Sequence, residues 1–285
     1  MLFLIENAMF HIVKSMILPG PRETSRLSTE ELRDSFLAQN LFASGEVRMV
    51  ISDMDRLVLG AAMPAAPLPL PPCPDLGTAY FTERREIGVV NLGQAGHVFV
   101  SGERYSLEQF DFLYIGIGNE DVSFECCGEY KPVFYLLSCP AHNKLPVRRI
   151  GRDEVEPELI GETAFASRRR LRKYIHPGGA RSCQLVMGRT ELESGSVWNT
   201  MPPHTHLRRS EVYLYYGLED GVVVHLLGEP HQTRHVMAGD LEAVLSPSWS
   251  IHSGAGTRPY SFIWGMAGEN QAFQDMDRVE PRQLR

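Results

Sequence analysis

What this 285-residue chain lacks narrows it quickly. It has five cysteines, Cys73, Cys126, Cys127, Cys139 and Cys183, an odd number with no C-x-x-C spacing. That fits neither a disulfide framework nor a cysteine zinc site and predicts a reducing compartment, the cytoplasm. There is no G-x-S-x-G, no Walker loop and no G-x-G-x-x-G opening a helix, so three common enzyme signatures are missing. Positive charge is scarce: 28 Lys and Arg against 35 acids leave a formal charge of −7, which argues against a non-specific nucleic-acid binder. The one basic run, "SRRRLRKY" at 167–174, reads as solvated surface. Long apolar runs are confined to "MLFLIENAMFHIVKSMIL" at the start, which Glu6, His11 and Lys14 interrupt. With no basic region before it and no cleavage site after it, that stretch predicts neither a signal peptide nor a membrane span.

What is present is an ordinary globular composition, 43% hydrophobic and 22% charged, with enough chain for two modest domains or one large β unit. Ser28 followed by Glu31 is an N-capping signal that predicts a helix over 28–40. The proline-rich "MPAAPLPLPPCPDLG" at 63–77 predicts an extended connection. Short β-rich runs follow, among them "REIGVVNL", "GHVFVSG", "DFLYIGIG" and "KPVFYLLSC". Residues 146–180 read as a polar linker. Strands then resume with "SCQLVMG", "EVYLYY", "GVVVHLLG", "TRHVMAG", "EAVLSP" and "YSFIWGM", and "NQAFQDMDRV" predicts a closing helix. The two β-rich halves run in parallel: superposing Glu86 on Glu211 places Gly96 on Gly221. The expectation is an all-β chain of two tandem barrels with a few peripheral helices, divided as 1–145 and 146–285.

The segment "MPPHTHLRRSEVYLYY" at 201–216 sets His204 and His206 one residue apart, with Glu211 five further on. On a strand, residues two apart share a face, so both imidazoles can reach one ion. Glu211 is out of phase with His206 unless "LRRS" turns and resets the alternation. It then opens the next strand facing the same interior, with Tyr213 and Tyr215 behind it. His252, in "SPSWSIHSG", is the candidate fourth ligand from a neighbouring strand. Three imidazoles and one carboxylate suit a divalent transition ion, and donor type alone does not separate Zn²⁺ from Mn²⁺, Fe²⁺ or Ni²⁺. The plainer reading is an exposed polar turn before a strand. In the first repeat the matching positions are Ala79 and Phe81, with Val122 and Ser123 near the place of His252, so only Glu86 persists. The pattern predicts one metal-binding copy and one scaffold copy.

H-x-H-x₄-E followed by P-x₄-H resembles the metal motif of the cupin superfamily, whose domains are jelly-roll barrels. The longer strings "WNTMPPHTHLRRSEVY", "SPSWSIHSG", "FIWGMAGENQ" and "FTERREIGVVNLG" are similar to those of the 5-keto-4-deoxyuronate isomerase family. The resemblance runs from about residue 30 to the C-terminus. It implies a two-cupin chain, one Zn²⁺ per chain on His204, His206, Glu211 and His252, a homohexamer, and a ketol-isomerase acting on a small sugar acid in pectin breakdown. Trp249 stands where many cupins have glycine, a departure shared with this isomerase family. The reaction it implies needs a base to move a proton from C2 to C1, for which Lys173, Tyr174, Tyr213 and Tyr215 are the candidates. It also needs a cation for the substrate carboxylate, for which Arg169, Arg209 and Lys173 are candidates, with Trp249 a further substrate-binding candidate. An isomerase of 5-deoxyglucuronate, an Fe²⁺ or Mn²⁺ oxygenase, and a sugar-acid-binding module without turnover are the alternatives.

Overall fold

The computed structural model describes residues 9–285, so the first eight residues of the apolar N-terminal stretch lie outside the described residues. The remainder of that stretch forms a strand, Met9–Met16, paired in parallel with Glu46–Ser52. No described helix is long and apolar enough to cross a membrane.

Two seven-stranded sheets dominate the fold. The first runs Met9–Met16, Glu46–Ser52, Val58–Ala62, Phe134–Pro140, Arg85–Asn91, Phe112–Ile115, Arg148–Ile150. The second runs Glu158–Ile160, Arg169–Ile175, Val186–Leu192, Ser261–Gly268, Arg209–Tyr216, Ala243–Ser246, Leu37–Ala38. A four-stranded sheet built on Gly96–Val100 and Val122–Cys126 faces the first, and a five-stranded sheet built on Val223–Glu229 and His252–Gly256 faces the second. The chain is thus all-β, with two barrels in tandem, as the repeat predicts.

Three apolar clusters follow from strand alternation. In the Arg209–Tyr216 strand, Tyr213 and Tyr215 point into the second barrel while Val212 and Leu214 point out of it. Ile87 and Val89 fill the first barrel in the same way, and Val90 points outward. The outward residues of both large sheets meet in one core between the barrels, where Leu137, Met187, Leu214 and Ile263 are all buried. The barrels also exchange edges. Leu37–Ala38, which lies in sequence between the first-sheet strands Met9–Met16 and Glu46–Ser52, pairs with Ala243–Ser246 of the second, and Arg148–Ile150 closes the first barrel against Phe112–Ile115.

The helix signal at Ser28 is realised: Thr29–Phe36 is helical, Ser28 Oγ accepts the Glu31 N–H at 3.3 Å, and the Glu31 carboxylate accepts the Ser28 N–H at 2.7 Å. Leu32 and Phe36, four apart, bury their side chains in the second barrel's cluster. Two expectations fail. Residues 146–180 hold three strands rather than a polar linker, because the basic run is neutralised across the sheet. Arg172 bonds Glu191 at 2.5 Å and Arg170 pairs with Glu193 at 3.1 Å. The closing helix is also absent: 270–276 is non-helical and leads into a short strand, Asp277–Arg278. Asn270 turns its own backbone by accepting the Ala272 N–H at 3.0 Å, and Asp275 and Asp277 are drawn away to Arg208.

The repeat is also out by one residue. Ile87 pairs with Ile115 in the first barrel where Glu211 pairs with Ser246 in the second, and Val89 and Tyr213 match likewise. Glu211 therefore corresponds to Ile87. Glu86 lies on the other face of its strand, since a shift of one reverses every side chain. The strand standing where the histidines would be is Leu68–Pro69, paired with Ser123 and Phe124, whereas Phe81–Glu83 is a 3-10 turn.

Candidate metal centre

Trp198–Thr205 and His252–Gly256 are neighbouring strands of the five-stranded sheet, and the ladder sets His204 directly opposite His252. After Thr205 the chain turns, with Arg209 N–H donating to the His206 carbonyl at 2.9 Å, and re-enters the opposite sheet at Arg209. That turn resets the alternation, so Glu211 faces the histidines across the barrel. His204 Nε2 stands 3.2 Å from His206 Nε2 and 3.0 Å from His252 Nε2. Glu211 Oε2 stands 3.1 Å from His206 Nε2 and 3.2 Å from His252 Nε2. One donor atom from each of the four lies within 4.8 Å of the others. Donors each about 2.0–2.2 Å from a common ion lie about 3 Å from one another, so the set fits a divalent metal.

The atoms behind the ligands support the same reading. His206 Nδ1 lies 3.0 Å from the Asp275 carbonyl oxygen, which can only accept, so Nδ1 carries the hydrogen and Nε2 the lone pair. His252 Nδ1 lies 3.2 Å from Ser246 Oγ. Lone pairs converging in a buried site repel unless a cation lies among them. Burial, followed by the neighbouring His252 and His206, pushes the His204 imidazole down to about 2, and burial also lowers His252. Burial alone would raise the Glu211 carboxyl, but His252 and His206 hold it well below the usual carboxylate range. The depressed His204 and His252 imidazoles and the depressed Glu211 carboxyl favour the protonation states that metal binding requires.

His204, His206 and Glu211 open onto a cavity of about 420 Å³. Its other polar side chains include Arg169, Tyr213, Glu158, Thr190, Gln274 and Arg278, and Phe262, Trp264 and Phe273 form apolar wall. Arg169 and Leu171 alternate onto the cavity face of their strand, which puts Lys173 on that face as well. Lys173 Nζ pairs with Glu158 at 3.1 Å and lies 4.7 Å from the centre of the Phe273 ring. Arg169 donates to the Ser167 carbonyl at 2.9 Å, and burial lowers its guanidinium from its ordinary value. The Tyr213 ring lies 5.4 Å from that of His252. Burial, then the Glu211 charge, raises its hydroxyl well above the ordinary value, so it is a phenol and a proton donor.

Four of the residues singled out from sequence do not face this cavity. Tyr174 points the other way from Lys173, into the core between the barrels, stacked on Phe112 with ring centroids 4.0 Å apart. Tyr215 lies one pleat beyond Tyr213, its hydroxyl 2.7 Å from His225 Nδ1. Trp249 packs edge-on against Phe36 and lines a separate surface cavity. Arg209 is buried behind His206 and donates to the Asp275 carbonyl at 2.7 Å. Glu158, Gln274 and Arg278 escaped the sequence reading because they fall in the stretches taken as linker and closing helix. The alternation of Glu158 with Ile160 and of Arg169 with Leu171 is the signal that could have found the first.

Solved structures share this architecture. The chain superposes on an IolB-like protein from Salmonella typhimurium with a TM-score of 0.70 at 14% identity, covering 86% of this chain and 96% of that one. It also superposes on oxalate decarboxylase from Bacillus subtilis with a TM-score of 0.55 at 10% identity, covering 76% and 70%. These likenesses give the fold, a pair of cupin-type jelly rolls. Sequence relatives lie much nearer. A 4-deoxy-L-threo-5-hexosulose-uronate ketol-isomerase of Opitutus terrae is 50% identical over 92% of this chain and 96% of the relative. Its namesake in Bacillus subtilis is 48% identical over 91% and 95%. The family model described as KduI/IolB matches residues 36–281, which include all four convergent ligands and the cavity. The chain belongs to the KduI/IolB family.

Proposed function

We propose that this chain is a metal-dependent ketol-isomerase that converts 5-dehydro-4-deoxy-D-glucuronate to 3-deoxy-D-glycero-2,5-hexodiulosonate in uronate catabolism. The observation that carries the reading is three imidazoles and a carboxylate converging on a cavity that also holds arginines. When bound, a divalent ion would supply Lewis acidity toward the substrate's carbonyl and hydroxyl oxygens, which would acidify the proton on C2. His204, His206, Glu211 and His252 would hold that ion, and we assign it as zinc.

The residues of the chain do the rest. Arg169, which pairs with no carboxylate among the described residues and donates to the Ser167 carbonyl, takes the substrate carboxylate, since a guanidinium fork matches it. Glu158, the cavity-lining carboxylate outside the metal cluster, removes the C2 proton and returns it to C1, and Lys173 positions it through their ion pair. Tyr213 donates from its phenol toward the substrate oxygens. Phe262, Trp264 and Phe273 exclude water. We further infer a cytoplasmic homohexamer of this 32.0 kDa chain, with the segments before and after residue 145 forming most of a scaffold barrel and most of a metal barrel, apart from the exchanged strands Leu37–Ala38 and Arg148–Ile150.

The direct test offers the zinc-loaded protein the 4-deoxy uronate and 5-deoxyglucuronate side by side in deuterated water. Turnover of the first, with solvent deuterium at the new hydroxymethyl carbon, is the expected result. Preference for the second would move the assignment to the other substrate. Consumption of oxygen would make the chain an oxygenase, and saturable binding without product would make it a binding module. Product free of deuterium at that carbon would favour hydride transfer and remove the role given to Glu158.

A further inference from the structure

The segment 270–278 joins two tasks. Its Asp275 carbonyl fixes the outer nitrogen of His206 and accepts from Arg209, and its Phe273, Gln274, Met276 and Arg278 side chains face the cavity. No helix stiffens it. Its far end is tied by the pairing of Arg278 with His204, and its near end by Gln271 Nε2, which donates to Ser182 Oγ at 2.7 Å.

Between those ends, Arg208 grips its carboxylates, while Arg209 and His206 hold the Asp275 carbonyl. Arg208 Nε donates to both Asp275 carboxylate oxygens at 2.9 and 2.8 Å, and Arg208 Nη2 reaches Asp275 Oδ1 at 2.5 Å. The same Nη2 lies 3.2 Å from Asp277 Oδ2. Asn270 Nδ2 donates to Asp275 Oδ2 at 2.6 Å, and the Glu269 N–H donates to the Arg208 carbonyl at 2.9 Å. Arg208 lies in the turn between His206 and Glu211, the turn that resets the alternation for the metal site.

We propose that Arg208 is a positioning residue that pins 270–278 so that one backbone carbonyl, that of Asp275, orients the His206 ligand while the adjoining side chains complete the substrate wall. The proposal rests on the metal-centre reading of the His204 cluster. Arg208 touches neither the ligand atoms nor the cavity. It acts through Asp275. A partner outside the ligand shell that fixes a histidine's ring typically changes metal affinity about 10–100-fold. Because the pin also holds the wall, it must affect metal retention and substrate KM together. An ordinary surface ion pair would affect neither.

The test is chelator competition on purified full-length protein, with zinc as the probe, for the parent, Arg208→Met, Asp275→Asn and the double variant. Each is also checked by circular dichroism and steady-state kinetics. Arg208→Met should weaken zinc binding about tenfold and raise KM, with kcat in fully loaded protein within about twofold. Arg208→Lys, which keeps charge but loses the fork, should recover only part of the affinity. Asp275→Asn keeps the carbonyl and loses the grip, so it should reproduce the effect, and the double variant should add little. Folded single variants that hold zinc as tightly as the parent would overturn the inference. Should Arg208→Met fail to fold, Asp275→Asn decides alone. A parent chain that binds no zinc would instead remove the metal-centre reading, so the two failures are distinct.

Discussion

At the residue scale, the histidines carry the pH behaviour. The His204 and His225 imidazoles are pushed down to about 2 and about 3, in both cases chiefly by burial, and burial lowers His252 as well. Their unfolded values are near 6.5. Each depressed histidine therefore contributes stability above pH 6.5, because below it the unfolded chain takes up protons that the folded chain refuses. Stability is lost as pH falls from 6.5 toward the folded values. Glu211, also depressed, adds a loss of the same sign at lower pH. Metal-free protein should lose about 1.4 kcal/mol of unfolding free energy per pH unit below pH 6 for His204 and again for His225, with a further loss of the same sign from His252. Urea titrations at pH 7.5, 6.0 and 5.0 measure this, and bound zinc should delay the loss. A stability independent of pH over that range would mean that the ring nitrogens are not shielded as described.

At the scale of elements, strand phase decides which residues act. Arg169, Leu171 and Lys173 share the cavity face of one strand, while Tyr174 goes into the inter-barrel core. Arg169→Met should raise KM for the uronate by about 2–4 kcal/mol of transition-state binding, with a smaller loss for a neutral analogue that lacks the carboxylate. Equal losses for both substrates would mean that Arg169 does not read the carboxylate. The same phase rule explains what was legible in the sequence. His204 and His206 announce themselves by a spacing that only a strand reconciles, and the turn before Glu211 could be inferred because the carboxylate is useless without it. Glu158, Gln274 and Arg278 announce themselves far less. Glu158 shows only its alternation with Ile160 in a three-residue strand, Arg278 lies in a strand of two residues and Gln274 in a turn, and tertiary partners such as Arg208 and Glu191 override the local preference. Tyr215 shares the interior phase of Tyr213, but no periodicity tells which pleat meets the cavity and which meets His225.

At the scale of the whole molecule, the two barrels depend on each other, and the residue that shows it is the one the repeat misplaced. Glu86 points out of the first barrel and accepts the backbone N–H groups of Cys183, Gln184 and Leu185, each at 2.7 Å, together with the Tyr114 hydroxyl at 2.7 Å. The buried carboxylate thus holds the start of the Val186–Leu192 strand, beside the Ser182 that anchors Gln271. Packing between the barrels leaves no slack: a Cβ on Gly265 would come 2.0 Å from Leu137 Cδ2, and one on Gly88 would come 2.7 Å from Met187 Sδ. Glu86→Gln keeps the size but turns an amide toward donors that need an anion, so it should cost about 3 kcal/mol. Separating the halves should be worse. Residues 146–285 alone would expose Met187, Val212, Leu214 and Ile263, lose the edge strand Leu37–Ala38 and leave the 183–185 amides without Glu86. That fragment should aggregate when expressed alone and become soluble when co-expressed with residues 1–145, as size exclusion would show. A monomeric 146–285 fragment that unfolds cooperatively and binds one zinc would mean that the second barrel owes its fold to itself.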